Sequence, residues 1–402
     1  MKVLQINAIY GSLSTGTIMK NIQVCSLSYG IEAYVSFPKG FGTSDKWSYE
    51  IGNTLDHKLH AALSRIAGRQ AYFSSIATNG LLRYIDTLTP DIIHLHNLHS
   101  NYINLNMLLK YLAKQDIITV ITMHDCWYFT GGCFHYTNAG CDRWQHGCGN
   151  CPKKKLDTPA LFYDASASML KDRAKYLNGI SRLCIVGCSE WVSNECRKSV
   201  LRNKNIRTIH NGFNLDIFHP VESDWRKRLD IKDKFVILGP AGKWLSAVNK
   251  STYEYFVNNM SDDMVLVLFG CRNTAGECPS NVKKIGFIRK PHEMAQVYSM
   301  ADVMVNCSRE DTLSSLNLES QACGTPVVTY EATGNKETVD DKCGFAVETG
   351  NPKALFDATM RVKSYTKPSL SAKCVERMHN EFELQANFEK YVELYKELHG
   401  GK

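Results

Sequence analysis

No apolar run in this 402-residue chain approaches the roughly 20 residues needed to cross a bilayer. Runs such as Ile117 to Met123 and Met264 to Phe269 read instead as buried strands. The first nine residues carry one lysine among alternating apolar positions. They lack an extended apolar core or a small-residue cleavage site, so a first strand is expected there and not a secretory signal. Low-complexity tracts and short internal repeats are also missing. So are long Lys/Arg runs and basic patches interleaved with aromatics, which argues against a nucleic-acid partner. Hydrophobic residues at 44% and charged residues at 22% exclude a disordered chain. The formal charge of +7 is modest and suits a protein that binds diphosphates or anionic headgroups.

The length favours two domains, because single cores stop growing well below this size. Most of the fifteen cysteines stand singly in apolar segments, among them Cys25, Cys184, Cys188, Cys307 and Cys323. Buried thiols of this kind belong to a reducing compartment, and a cytoplasmic location is expected. Short apolar runs alternate with longer amphipathic stretches, the pattern of a parallel sheet with crossover helices. One series of strands is expected at Lys2 to Ile6, Ala33 to Ser36, Ile92 to Leu95, Ile118 to Thr122, Leu183 to Gly187 and Ile206 to Ile209. A second is expected at Phe235 to Gly239, Val265 to Phe269, Lys284 to Phe287, Val303 to Asn306 and Val327 to Thr329. Between them, from Asn211 to Lys232, Asn-Gly, His-Pro and clustered charges replace the periodic pattern. The expected division is therefore 1–215, 216–377 and a terminal amphipathic helix, 378–402, that crosses back towards the first domain.

Four constellations could carry chemistry. Gly11 to Thr17, with Gly16 inside it, follows the first strand and opens a helical pattern, so its amides could hold an anion. It is neither G-x-G-x-x-G nor a P-loop, and a simple turn fits equally well. His94, His96 and His99 close one strand, and His124-Asp125 closes the next, where ligands of open α/β sheets bind. His124 is the functional candidate, as a donor to a sugar hydroxyl or a phosphate, while His94 and His96 suit the core. Cys133, Cys141, Cys148 and Cys151 form C-x7-C-x6-C-x2-C within 126–152. A structural zinc knuckle is the leading reading, beside unligated thiols and redox use. Finally, Ser308 to Pro326 reads as strand end, loop, short helix and glycine cap. There Asp311 lies in the loop and Glu319 on the helix, with Thr312, Leu313 and Ser314 between them able to offer amides to a phosphate. A surface loop with clustered acids is the alternative.

Asp311 to Glu319, continued by Ala322-Cys323-Gly324-Thr325-Pro326, resembles the E-x7-E signature of the family 4 retaining glycosyltransferases. The resemblance extends to Met1-Lys2-Val3-Leu4-Gln5-Ile6-Asn7 with Ser14-Thr15-Gly16, to Pro90 through Asn97, to His124-Asp125-Cys126-Trp127 with the cysteine loop, and to Asn211-Gly212-Phe213 with Phe218. Together these look like the subgroup that builds capsular or colanic-acid-like surface polysaccharides. What the resemblance implies is the GT-B fold, two Rossmann-like domains facing a cleft. It also implies transfer of a sugar from a nucleotide diphosphate donor to a glycan or polyprenyl-linked acceptor, with no catalytic cofactor. The first acid would contact the donor sugar and the second the ribose, with an Arg and a Lys holding the diphosphate.

Two departures from that pattern stand out. Asp311 replaces the usual Glu, and the expected Arg-Lys-Gly appears as Asn249-Lys250-Ser251. Lys250 then matches the family Lys, with Lys243 a candidate to replace the missing Arg. No protein nucleophile is evident, so a front-face route is expected, with the leaving phosphate taking the acceptor proton. A GT-B sugar-nucleotide epimerase and a zinc-knuckle nucleic-acid module are the competing readings. Lys58, Arg65 and Arg69 share one stripe of a helix that also carries Leu59, Leu63 and Ile66, which raises peripheral contact with the inner face of an anionic membrane.

Overall fold

The structure, a computed structural model, describes residues 1–157, 159–274 and 278–401. The chain divides into two units, Met1–Asn211 with Gln385–Lys402, and Gly212–Leu384. In the first, β1 (Lys2–Ile6), β2 (Glu32–Pro38), β3 (Ser48–Ile51), β4 (Ile92–Leu95), β5 (Ile118–Met123), β6 (Leu183–Gly187) and β7 (Asn205–Thr208) form one parallel sheet. Its order is β3-β2-β1-β4-β5-β6-β7. The order reverses between β1 and β4, and the carboxyl ends of strands at such a switch point are where ligands bind. Pairing of Ile6 with Leu95 brings Asn7 and His96 side by side just beyond the ladder.

The second unit repeats the plan with β8 (Phe235–Pro240), β9 (Met264–Phe269), β10 (Val282–Lys284), β11 (Val303–Asn306), β12 (Val327–Tyr330) and β13 (Gly344–Val347) in the parallel order β10-β9-β8-β11-β12-β13. Its central strands β9, β8, β11 and β12 are buried on both faces and alternate with period two. Ile237, Leu266, Leu268, Val305 and Val328 pack with Trp244 and Phe256 on one face. Val236, Leu238, Val265, Val267 and Met304 pack with Tyr298 on the other. Trp244 Nε1 donates to the Val305 carbonyl at 2.9 Å, and a Cβ on Gly239 would stand 2.1 Å from that nitrogen. The strand end at Gly239 therefore depends on glycine.

Four elements differ from expectation. The terminal segment is two helices, Lys367–Glu381 and Leu384–Gly400, because Phe382 turns its carbonyl to the Phe213 N–H at 2.8 Å and Glu383 bridges Phe213. The first and last segments of the second unit thus pair with each other. The last helix belongs to the first unit, where Tyr391 and Tyr395 bury against β4 and β5. The Tyr395 hydroxyl lies 2.6 Å from His94 Nδ1, and that of Tyr391 lies 3.2 Å from Thr122 Oγ1. The strand expected at Lys284 to Phe287 runs instead from Val282 to Lys284, and Phe287 turns outward, 69% exposed. The edge strands β3 and β13 were not anticipated. Sequences such as Ser48-Tyr49-Glu50-Ile51 lack the apolar run of a central strand.

Candidate active site

In the second unit a pocket of about 810 Å³ opens at the carboxyl ends of β8 and β9. Gly242, Gly270, Arg272, Lys284, Phe287 and Glu319 are among the residues that line it. Glu319 stands on the helix Ser315–Ala322 that follows β11, and Tyr298 reaches its carboxylate from the helix Pro291–Met300, its hydroxyl donating at 2.9 Å. Burial pushes the Glu319 carboxyl up to about 7, against the opposing pull of that hydrogen bond. A half-buried carboxylate with one hydrogen-bond donor among the described residues retains acceptor sites for ligand hydroxyls.

The loop before Glu319 is braced on three sides. The Asp311 N–H donates to Thr333 Oγ1 at 2.9 Å, and its carbonyl accepts from Gly334 at 3.0 Å. A Cβ on Gly334 would fall 1.7 Å from the Thr312 carbonyl, so the two loops touch backbone to backbone. Leu313 and Ser314 are buried, and Asn306 Nδ2 donates both to Ser314 Oγ at 3.1 Å and to Asn317 Oδ1 at 2.8 Å. Thr312 is buried as well, and its hydroxyl has no partner among the described residues. Such bracing leaves the backbone before the helix already ordered for an anion.

Asn249 ties the neighbouring corner together. Its Nδ2 donates to the carbonyls of Lys243 at 3.1 Å and Cys307 at 2.8 Å, while its Oδ1 accepts from Arg309 Nε at 3.0 Å. Lys243 and Arg309 both act on the Cys307 thiol at the end of β11. Lys250, by contrast, begins the helix Lys250–Asn259 with its side chain 76% exposed and 3.7 Å from Glu254. The side chain at the position of the expected family Arg is therefore an acceptor that holds an arginine from elsewhere in the chain. Sequence reading passed over Arg309 and Tyr298, since neither lies at a position the motif marks.

In the first unit the carboxyl ends of β1, β4 and β5 carry a stack of imidazoles. Gln5 gives its amide Nε2 to the Met19 carbonyl, so its Oε1 accepts from His96 Nε2 at 3.0 Å. His96 Nδ1 must then accept, and His124 Nε2 donates to it at 3.1 Å. This protonation pattern is assigned from the hydrogen-bond network. Burial pulls the His124 imidazole down to about 4, so it is neutral near pH 7. With that assignment the Nε2 proton goes to His96, and Nδ1 is the acceptor face, which suits a sugar hydroxyl. His94 is enclosed by Tyr395 and by Thr122 at 2.7 Å, a core arrangement. Gly16 lies in the helix Leu13–Ser28, and its carbonyl accepts from Gly11 at 2.9 Å. A Cβ there would stand 3.1 Å from Ile9, so the residue serves close packing of the turn.

Cys133, Cys141, Cys148 and Cys151 gather in one loop of this unit, where the Cys133 and Cys151 sulfurs share a hydrogen bond. Among the described residues, these four cysteines included, no three His, Cys, Asp or Glu side chains are grouped so that they could hold a metal ion. No helix among them is long and apolar enough to cross a membrane.

Residues 53–217 match the family described as Glycosyltransferase Family 4, and residues 232–364 match Glycosyl transferases group 1. The Escherichia coli (strain K12) protein named for colanic acid biosynthesis glycosyl transfer, WcaC, is 22% identical over 99% of this chain and the whole of its own. Among solved structures, the sucrose-phosphate synthase of Thermosynechococcus elongatus superposes with a TM-score of 0.71 at 15% identity, covering all of both chains. Anabaena HepE, solved with UDP, superposes at 0.65 and 13% identity over 99% of this chain and all of that one. These likenesses share the two-sheet plan described above.

Proposed function

The chain is a glycosyltransferase, a family 4 domain followed by a group 1 domain in the GT-B architecture, and we propose that it transfers a sugar from a nucleoside diphosphate donor to a surface-glycan acceptor with retention at the anomeric carbon. The observation that carries the donor assignment is the half-buried Glu319, held by the Tyr298 hydroxyl at the rim of the 810 Å³ pocket, near the braced Asp311 to Ser314 loop. In this reading Glu319 accepts from the ribose hydroxyls and Asp311 orients the transferred sugar. The amides of Thr312 to Ser314, with Lys243 and Arg309, meet the charge that grows on the leaving diphosphate. In the first unit, His124 Nδ1 is left to accept from a hydroxyl of a bound ligand. No side chain is placed as a nucleophile, so the departing phosphate oxygen takes the acceptor proton.

HepE has been solved with UDP-glucose, which makes uridine diphosphate sugars the first donors to try. The relative named for colanic acid biosynthesis supports a surface-glycan acceptor, and a polyprenyl-linked glycan is the form expected of it in this reading. For a lipid-linked acceptor the first unit offers one surface. On the helix Thr54–Ala67 the inward face is His60 and Ser64, so both outer stripes are open, with Lys58 and Arg65 beside Leu55, Leu59 and Ile66. Leu161, bonded to the Arg65 carbonyl at 2.8 Å, brings exposed Phe162 and Tyr163 to the same edge. Exposed apolar groups amid cations match an anionic membrane surface. Arg69 is turned away to Ser168 and Tyr72 and takes no part.

The test is a thermal-shift panel of nucleotide sugars, followed by product analysis with the donor that stabilises most. An α-configured donor should yield an α-linked product. Inversion would refute the stereochemical claim, and sugar epimerisation without an acceptor would replace transfer as the activity.

A further inference from the structure

A second cavity, of about 190 Å³, lies in the first unit between the helix Thr54–Ala67, the loop that follows β4 and the segment that reaches Asp157. Three side chains on its wall carry a buried polar atom with no hydrogen-bond partner among the described residues: Ser64 Oγ, Gln70 Oε1 and Asn101 Oδ1. Ser64 is 8% exposed, so its hydroxyl has little water to turn to. Buried polar atoms without partners are rare in folded proteins, and three around one space mark it as a place for the polar atoms of something else. Its volume is that of about six waters at their liquid share of about 30 Å³ each, the size of a single sugar ring.

The charges on the wall are unequal. Asp157 is already engaged, because its Oδ2 accepts from the Phe134 N–H at 3.0 Å and pairs with Lys153 at 3.0 Å. Arg65 has no ion-pair partner among the described residues, and its side chain stands at the exposed side of the cavity. The backbone around it is fixed. Gly68 ends the helix at a φ of +64°, and a Cβ there would collide with the Tyr163 carbonyl. Just after Gln70, the Ala71 carbonyl accepts from the Leu105 N–H at 2.8 Å, which ties that stretch to the start of the helix Leu105–Leu112. The contact of Gly68 with Tyr163, and that of the Arg65 carbonyl with Leu161, set the cavity directly beside exposed Ile66, Phe162 and Tyr163.

We propose that this cavity holds the sugar phosphate head of a lipid-linked acceptor, with one sugar ring among Ser64, Gln70 and Asn101, its anomeric phosphate on Arg65, and the polyprenyl chain over Ile66, Phe162 and Tyr163. The assignment rests on the lipid-linked acceptor of the reading above. Sugar hydroxyls both donate and accept, so they satisfy the two amides whichever way these are turned. A phosphate alone would leave amide oxygens without use, and a neutral sugar alone would leave the guanidinium without an anion. The apolar edge beside that cation is what a phosphate joined to a hydrocarbon chain requires, and a soluble sugar phosphate does not.

The test ligands are the 1-phosphates of glucose, galactose and N-acetylglucosamine, titrated by calorimetry into the full chain while a nucleoside diphosphate saturates the pocket of the second unit. Each is compared with its free sugar and with inorganic phosphate. At least one 1-phosphate should bind roughly tenfold or more tightly than either part, because a charge-assisted hydrogen bond and several neutral ones form together. Arg65→Gln should lower it to the level of the free sugar, and Asn101→Leu to that of inorganic phosphate. Asn101 Oδ1 bonds to nothing in the protein among the described residues, so its variant should fold, which a melting curve checks. Absence of saturable binding by all three 1-phosphates, or wild-type affinity in both folded variants, would overturn the proposal. Flotation on anionic liposomes separates it from the reading beneath it. Sugar phosphate binding without flotation supports the cavity and removes the membrane surface, whereas flotation without sugar phosphate binding removes the cavity and keeps the surface.

Discussion

Donor affinity should fall about tenfold between pH 8 and pH 6, because Glu319 takes up a proton in that window. Burial lifts its carboxyl to about 7, so the ionised fraction is about nine-tenths at pH 8 and about one-tenth at pH 6. Two ribose hydroxyls donate far better to the carboxylate than to the acid, whose protonated oxygen is itself a donor, so binding favours loss of the proton and apparent affinity tracks the ionised fraction. At pH 6.5 binding should release roughly 0.7 proton, measurable by calorimetry in buffers of different ionisation enthalpy. A nucleotide sugar is the right ligand, since its diphosphate has no titrating proton between pH 6 and 8. The unliganded protein shows the opposite trend. A carboxyl raised from 4.5 to about 7 contributes stability in full below 4.5 and loses it as pH rises through 7. Glu319→Gln should bind weakly and without this pH dependence. Wild-type affinity that stays constant from pH 6 to 8, with no proton released, would refute the reasoning.

Arg309→Ala should weaken nucleoside diphosphate binding at least tenfold in the same calorimeter. Lys250→Ala should change it less than twofold, because an exposed ion pair such as Lys250 with Glu254 contributes about 0–1 kcal/mol. Gly239→Ala should lower stability by about 1–3 kcal/mol in urea titration, since its Cβ overlaps Trp244 Nε1; an unchanged midpoint would mean that the strand end relaxes without cost. Flotation with anionic liposomes at low salt should carry the protein upward, and Phe162→Ser with Lys58→Glu should abolish this. Equal recovery on neutral liposomes would count against the membrane surface.

Much of the architecture was legible because apolar runs such as Ile92 to Leu95 and Val303 to Asn306 are buried on both faces and leave a local signature. The segment from Asp311 to Glu319 was legible for a different reason, as acids, a loop and a helix start in sequence. What could not be read depends on partners far along the chain. The break at Phe382 follows from its bond to Phe213, and the acceptor face of His124 follows from Gln5 through His96. Asn249 looks like a lost arginine until Arg309 is seen on its side-chain oxygen.

The central claim, that the second unit binds the donor through Glu319 and Asp311, is tested most directly by one paired measurement. Nucleoside diphosphate affinity and initial rate with the matched donor are compared for the wild type, Glu319→Gln and Asp311→Asn. Glu319 makes contacts that change little along the reaction, so its variant should chiefly lose nucleotide affinity. Asp311 orients the sugar as the anomeric bond breaks, so its variant should lose turnover well beyond any loss of nucleoside diphosphate binding. Folded variants that both bind and turn over like the wild type would contradict the account.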